Sequence, residues 1–136
     1  MAWVVDTCLL IDVAVADPAF GLSSANLLVN RLRDGLTVCP VTYIELAPVL
    51  GGDRLAEEQF LTNVGVIWPE AWTLADSLQA HTAWALHVQR KRQRTTAKRP
   101  IADILIGAFA LRFQGLLTRN GADFRRQFPG LVVVEP

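Results

Sequence analysis

No apolar stretch in this chain approaches the roughly 20 consecutive residues that a membrane-spanning helix needs. Cysteine is scarce. Cys8 and Cys39 both lie in apolar runs without metal-ligand spacing, a pattern that fits reduced core thiols of a cytoplasmic protein. Only two histidines are present, and His81 and His87 stand six positions apart, off the i,i+4 spacing that would offer both to one metal. The first thirty residues hold no Lys or Arg, so the basic n-region of a signal peptide is not expected. Repeats, low-complexity tracts and Gly/Ser-rich linkers are also missing, and the expectation is a single domain over residues 1–136.

Hydrophobic residues make up 51% and charged residues 19%, which excludes a disordered chain; 136 residues can bury a core without disulfide or metal staples. The formal net charge is zero but unevenly placed. Residues 1–30 carry three aspartates and no base, whereas residues 90–99 carry six of the thirteen Lys and Arg. Separate acidic and basic surfaces follow.

The chain begins with a short apolar run, Trp3 to Val5, that stops at Asp6 beside Thr7, a helix-starting residue. A fully buried strand feeding a helix reads this way. In an open α/β sheet, ligands collect at the carboxyl ends of the strands, so Asp6 is a candidate site residue. It also suits a turn or a helix start. Leu36 to Cys39 reads as a second strand, Val64 to Trp68 as a third, Gly115 to Leu117 as a fourth and Leu131 to Val134 as a fifth. Between them, helices are expected over about 25–33, from Thr42, from Asp53, from Pro69 and from Pro100.

These junctions supply more carboxylates. Glu45 falls three residues after Thr42, which fits a capping box closing a helix start as well as a second acid facing Asp6. Asp103 opens the apolar run Ile104 to Leu111. A carboxylate there gains from the helix N-terminus, but it is costly beside a buried run unless something positive meets it. Asn120 and Asp123 follow the fourth strand. In a parallel sheet such junctions share one edge, so Asp6, Glu45, Asp103 and Asp123 can converge as candidate catalytic residues. An oxygen-only donor set (Asp6, Glu45, Asp103 and Asn120) favours Mg²⁺ or Mn²⁺. The segment Arg90, Lys91, Arg92, Arg94, Lys98 and Arg99 suits phosphate-backbone contact. Metal-dependent phosphodiester hydrolysis is the chemistry these parts suggest.

Four segments, Val-Val-Asp6-Thr-Cys-Leu-Leu-Ile-Asp12, Val-Thr-Tyr-Ile-Glu45-Leu, Pro-Ile-Ala-Asp103-Ile-Leu-Ile-Gly-Ala and Leu-Leu-Thr118-Arg-Asn120-Gly-Ala-Asp123-Phe, resemble the PIN domain. In particular they resemble the VapC-type ribonuclease toxins of bacterial toxin–antitoxin pairs, in order and over nearly the whole chain. The resemblance implies a three-layer α/β/α sandwich around a central parallel sheet. It implies a Mg²⁺- or Mn²⁺-dependent endoribonuclease acting on tRNA or ribosomal RNA, a homodimer, and inhibition by a cognate antitoxin protein. By position, Asp6, Glu45 and Asp103 match the family's metal-binding acids, and Thr7 and Thr118 its acid- or water-orienting polar residues. Where many PIN domains carry a fourth acid this chain has Asn120, with Asp123 three residues on. Two rivals stand beside this reading. One is a phosphatase with an Asp nucleophile, which usually wants a second acid where Cys8 stands. The other is a degenerate PIN domain that binds RNA or protein without cutting.

Overall fold

A computed structural model describes residues 1–93 and 101–136. Its strands are β1 (Trp3–Val5), β2 (Leu36–Thr37), β3 (Val66–Ile67), β4 (Gly115–Leu117) and β5 (Val133–Val134). They form one sheet in the order β3–β2–β1–β4–β5, and all four pairings are parallel. The helices are α1 (Thr7–Ala14), α2 (Gly21–Arg31), α3 (Pro40–Glu45), α4 (Arg54–Asn63), α5 (Leu74–Gln93), α6 (Ile101–Ala110) and α7 (Gly121–Gln127).

The central strands are apolar at every position because both their faces are covered. Val4 and Leu116 point into one core, built with Ala80 and Ala83 of α5, Phe109 of α6 and Phe124 of α7. Trp3, Val5 and Leu117 point into the other, built with Leu9 and Leu10 of α1, Leu27 and Leu28 of α2 and Leu61 of α4. The period-2 alternation of a strand thus divides each short run between two cores. The result is the three-layer α/β/α sandwich, with α5, α6 and α7 on one side and α1, α2 and α4 on the other.

Several element boundaries differ from the sequence expectation, each for a local reason. α2 starts at Gly21 instead of near residue 25, because the Asp17 carboxylate accepts the Ala19 and Phe20 N–H groups, both at 2.9 Å. Ser24 is buried inside the helix and donates to Asp12. α3 starts at Pro40, so Thr42 is its third residue and Glu45 its last. The capping box proposed for Thr42 and Glu45 does not form. A reciprocal one forms at the start of α5: the Thr73 N–H donates to Asp76 Oδ2 and the Asp76 N–H to Thr73 Oγ1. α5 therefore begins at Leu74, not at Pro69. β2, β3 and β5 are two residues each, although Val38 and Cys39 just past β2 stay buried. Pro100, the expected start of α6, lies outside the described residues.

One close approach fixes the packing of α6 on α7. A Cβ built on Gly107 would collide with the Phe128 ring and stand 3.3 Å from the Phe124 ring. Both rings are buried. Ala is a better helix former by about 1 kcal/mol, but overpacking a buried ring costs about 1–3 kcal/mol. Gly107→Ala is therefore expected to destabilise by about 1–2 kcal/mol, read as a lower urea midpoint at unchanged slope. A raised midpoint would mean that the rings yield freely.

Candidate active site

Parallel register places the site. Val5 of β1 pairs with Leu117 of β4, so the next residues, Asp6 and Thr118, emerge side by side at the carboxyl edge. The Asp6 N–H continues the ladder by donating to the Leu117 carbonyl at 2.9 Å. Asp6 occupies the N-cap position of α1 in extended backbone, yet its carboxylate makes no capping bond. It accepts the Thr118 hydroxyl at 2.7 Å instead, and the Cys8 thiol at 3.3 Å, both on Oδ2. Burial raises the Asp6 pKa above the usual carboxylate range and Glu45 adds repulsion, while the Thr118, Cys8 and Thr7 donors oppose the shift.

Glu45, at the end of α3, is tied to the same centre from the other side. The Thr7 hydroxyl donates to Glu45 Oε1 at 2.6 Å and lies 3.0 Å from the Thr42 hydroxyl. Thr7 and Thr42 are both buried, so each acid reaches the edge already held by a threonine from a neighbouring element.

Asp103 lies in the first turn of α6, partly buried, with no hydrogen bond or ion pair among the described residues. Its pKa is raised to about 6, first by burial and then by the negative charges of Asp6, Glu45 and Asp123. Asp103 and Asp6, 97 positions apart in the chain, are thus close enough to repel one another electrostatically. Asp123, in the first turn of α7, also pairs with Arg126, which offsets part of its charge. Asn120 holds the N-cap position of α7, exposed, with no capping bond from its side chain. Its N–H donates to the Thr118 hydroxyl at 2.9 Å.

Among the described residues, no three His, Cys, Asp or Glu side chains stand together as a ready ligand cage. The donor chemistry nonetheless fits a hard divalent cation: the acids offer oxygen only, and Asp103 carries an unbalanced charge that such an ion would offset. Arg90 is exposed near the end of α5, and Lys91 and Arg92 fall within that helix. The predicted phosphate contacts of Arg94, Lys98 and Arg99 lie outside the described residues.

Two features escaped the sequence reading. Cys8 was expected in the core, but it is half-buried and its sulfur touches Asp6 and lies 3.8 Å from the Thr118 hydroxyl. Burial, followed by the Asp6 charge, pushes this thiol up to about 12, so it remains a protonated donor. Its place in the first turn after Asp6 was the available signal. Asp12, for which the sequence suggested no role, is buried and takes a two-pronged bond from Arg119 at 2.6 and 3.1 Å, and Arg119 also lies over the Phe20 ring. That clamp anchors the turn carrying Thr118 and Asn120. No sequence signal links positions 107 apart. His81 is exposed, and His87 stacks on Trp84 beside Gln127, so neither enters the site.

No protein-family model and no curated protein matches the chain. Among solved structures, it is similar to one described as VapBC2 from Rickettsia felis bound to a DNA fragment from their promoter, with a TM-score of 0.62 and 13% identity. The match covers 99% of this chain and 98% of that one. End to end, the chain shares the α/β/α fold of that matched chain.

Proposed function

We propose that this protein is a metal-dependent endoribonuclease of the VapC type, the toxin of a toxin–antitoxin pair. The observation that carries this reading is the set of carboxylates at one sheet edge, where Asp6, Glu45 and Asp123 together help raise Asp103 to about 6. Structural repulsion of this kind is costly to the fold, and such costs concentrate at functional sites. The fold likeness to the VapBC2 structure supports the same reading.

Asp6, Glu45 and Asp103, with the Asn120 amide, would hold Mg²⁺ or Mn²⁺. When bound, such an ion polarises a phosphoryl oxygen and lowers the pKa of water. The protein's own residues do the positioning. Thr118 and Cys8 fix one oxygen of Asp6, and Thr7 fixes Glu45, so the two acids do not swing away from each other's charge. A carboxylate of this set that is left unbound by the ion would accept the proton of an attacking water. The basic segment would grip the RNA backbone.

The antitoxin would cover this edge in the inhibited complex, and the toxin would act as a homodimer. The test uses purified protein free of any antitoxin, total cellular RNA, and Mg²⁺ or Mn²⁺ against EDTA. Discrete fragments that need metal and vanish in Asp6→Asn are the expected result. Fragments that persist in the variant would place the chemistry elsewhere. RNA bound by the metal-loaded protein but never cut would favour the degenerate, binding-only PIN domain.

A further inference from the structure

A second feature lies on the same sheet edge, away from the carboxylates. Trp68, just past β3, stacks on Tyr43 of α3 with ring centroids 5.3 Å apart and planes 21° apart. The pair lines an open cavity of about 720 Å³ together with Gly52, Asp53, Arg54, Leu55 and Glu58. The Asp53 carboxylate is engaged as the N-cap of α4, accepting the Ala56 N–H at 3.2 Å, which leaves Glu58 as the carboxylate without a hydrogen bond on that wall among the described residues. That volume falls within the range of small-ligand sites. Both residues are only partly buried, packed against the core on one side and bordering the cavity on the other. Gly52 has a positive φ of 72°, and a Cβ there would meet nothing within 4 Å, which leaves that wall open. Among the described residues neither Arg54 nor Glu58 makes an ion pair. Both charges act on the Tyr43 phenol, whose pKa is raised by burial and by Glu58 and lowered in part by Arg54.

The position ties the cavity to the acids. Tyr43 is two residues before Glu45 on one short helix, and β3 lies two strands from β1, roughly 10 Å away. A single strand of RNA crossing the acids would reach the cavity within a few nucleotides. Aromatic faces beside a free cation and a free carboxylate suit a nucleobase, which stacks through its ring and is read at its edge. The carboxylate decides which base. An ionised Glu can only accept hydrogen bonds. Guanine alone presents two adjacent N–H donors, N1 and N2, on its Watson–Crick edge. Adenine, cytosine and uracil each set a repelling acceptor beside their donor.

We propose that this pocket binds a guanine base of the RNA strand near the scissile phosphate, stacked on the Trp68–Tyr43 pair, read by Glu58, with Arg54 meeting the adjoining phosphate. The proposal deepens the ribonuclease reading and rests on it for its substrate. Its test separates the two. Binding is measured on the Asp103→Asn protein in EDTA, with five-nucleotide RNAs of uridine carrying one central guanosine, inosine or adenosine. Guanosine should bind about tenfold more tightly than inosine, which lacks the 2-amino donor, and Glu58→Gln should erase that difference. Trp68→Ala should weaken all three RNAs by about tenfold, and Trp68→Phe should keep most of the affinity.

Equal binding of guanosine and inosine, or a preference that survives Glu58→Gln, overturns the pocket. If wild type cleaves RNA with no guanosine preference at any position near the cut, the nuclease stands and the pocket falls. If wild type cleaves nothing while the Glu58-dependent preference persists, the pocket stands and the nuclease falls. Leu55 is 79% exposed at the rim and could meet an apolar peptide. Loss of a copurifying protein partner in Trp68→Ala, with RNA preference unchanged, would mark a protein-docking surface and overturn the base-reading proposal.

Discussion

Asp103→Asn is expected to abolish RNA cleavage and, at neutral pH without metal, to make the protein more stable. The two effects have one cause. The Asp103 carboxyl has a pKa of about 6 because burial and three neighbouring carboxylates oppose its charge. A folded pKa above the unfolded value means that the folded state binds the proton more tightly. The cost is therefore absent below about pH 3.8, grows as pH rises toward 6, and is fully present above it. Asn carries no charge and removes the cost. Solvent reaches part of this side chain, so the gain at pH 7.5 is about 1 kcal/mol after discounting for screening. It should shrink to nothing as pH falls through the same window.

Activity moves the other way. Electrostatic and metal-mediated stabilisation at such a site supplies several kcal/mol, and each 1.36 kcal/mol is tenfold, so a loss of about 10³-fold or more is expected. Mg²⁺ should raise the melting temperature of the wild type and leave that of Asp103→Asn nearly unchanged. A variant less stable than wild type at pH 7.5 and equally sensitive to Mg²⁺ would show that Asp103 is a structural helix-start residue.

The same tension explains which parts of the site the sequence reveals. Asp6 and Asp103 are legible because each interrupts or opens an apolar run, where the cost of burying a charge exceeds what a helix start returns. Glu45 is ambiguous, since its spacing from Thr42 fits a capping box equally well. The ambiguity is resolved by Pro40, whose fixed φ starts α3 two residues before Thr42 and leaves Glu45 at the far end. The sheet is legible in its central strands, where Trp3–Val5 and Gly115–Leu117 match the expected runs. It is less so at β2, β3 and β5, where the ladder is shorter than the apolar run that feeds it. Hydrophobicity reports burial, and Val38 and Cys39 are buried without being paired as strand. The Arg119–Asp12 clamp and the Cys8 contact depend on tertiary closure across more than 100 residues, which no local pattern encodes.

Arg112→Ala tests the opposite electrostatic case, a buried acid that the fold does compensate. Asp76 is fully buried at the start of α5 and takes Arg112 Nε at 2.7 Å and Nη2 at 2.9 Å, while Arg112 also donates to the Ala71 carbonyl. The guanidinium lies over the rings of Phe109 and Phe113, so the pair joins the start of α5 to the end of α6. Burial alone would raise the Asp76 pKa, but the Arg112 and Thr73 bonds hold it below the usual carboxylate value. A lowered folded pKa contributes stability that is present above about pH 3.8 and lost as pH falls through the lower folded value. Removing Arg112 leaves a buried carboxylate with only its helix-start bonds, a loss of about 3 kcal/mol out of a typical 5–15. Without the arginine, burial dominates and the sign reverses, so the variant weakens further as pH rises toward neutral. The difference from wild type should thus be largest near pH 7 and small near pH 3 in urea titrations. Asp103 and Asp76 then form a matched pair on neighbouring helices. Neutralising the first stabilises the protein and removes activity, whereas uncovering the second destabilises it and leaves cleavage per folded molecule intact. A cost independent of pH would mean that Arg112 acts through ring packing alone.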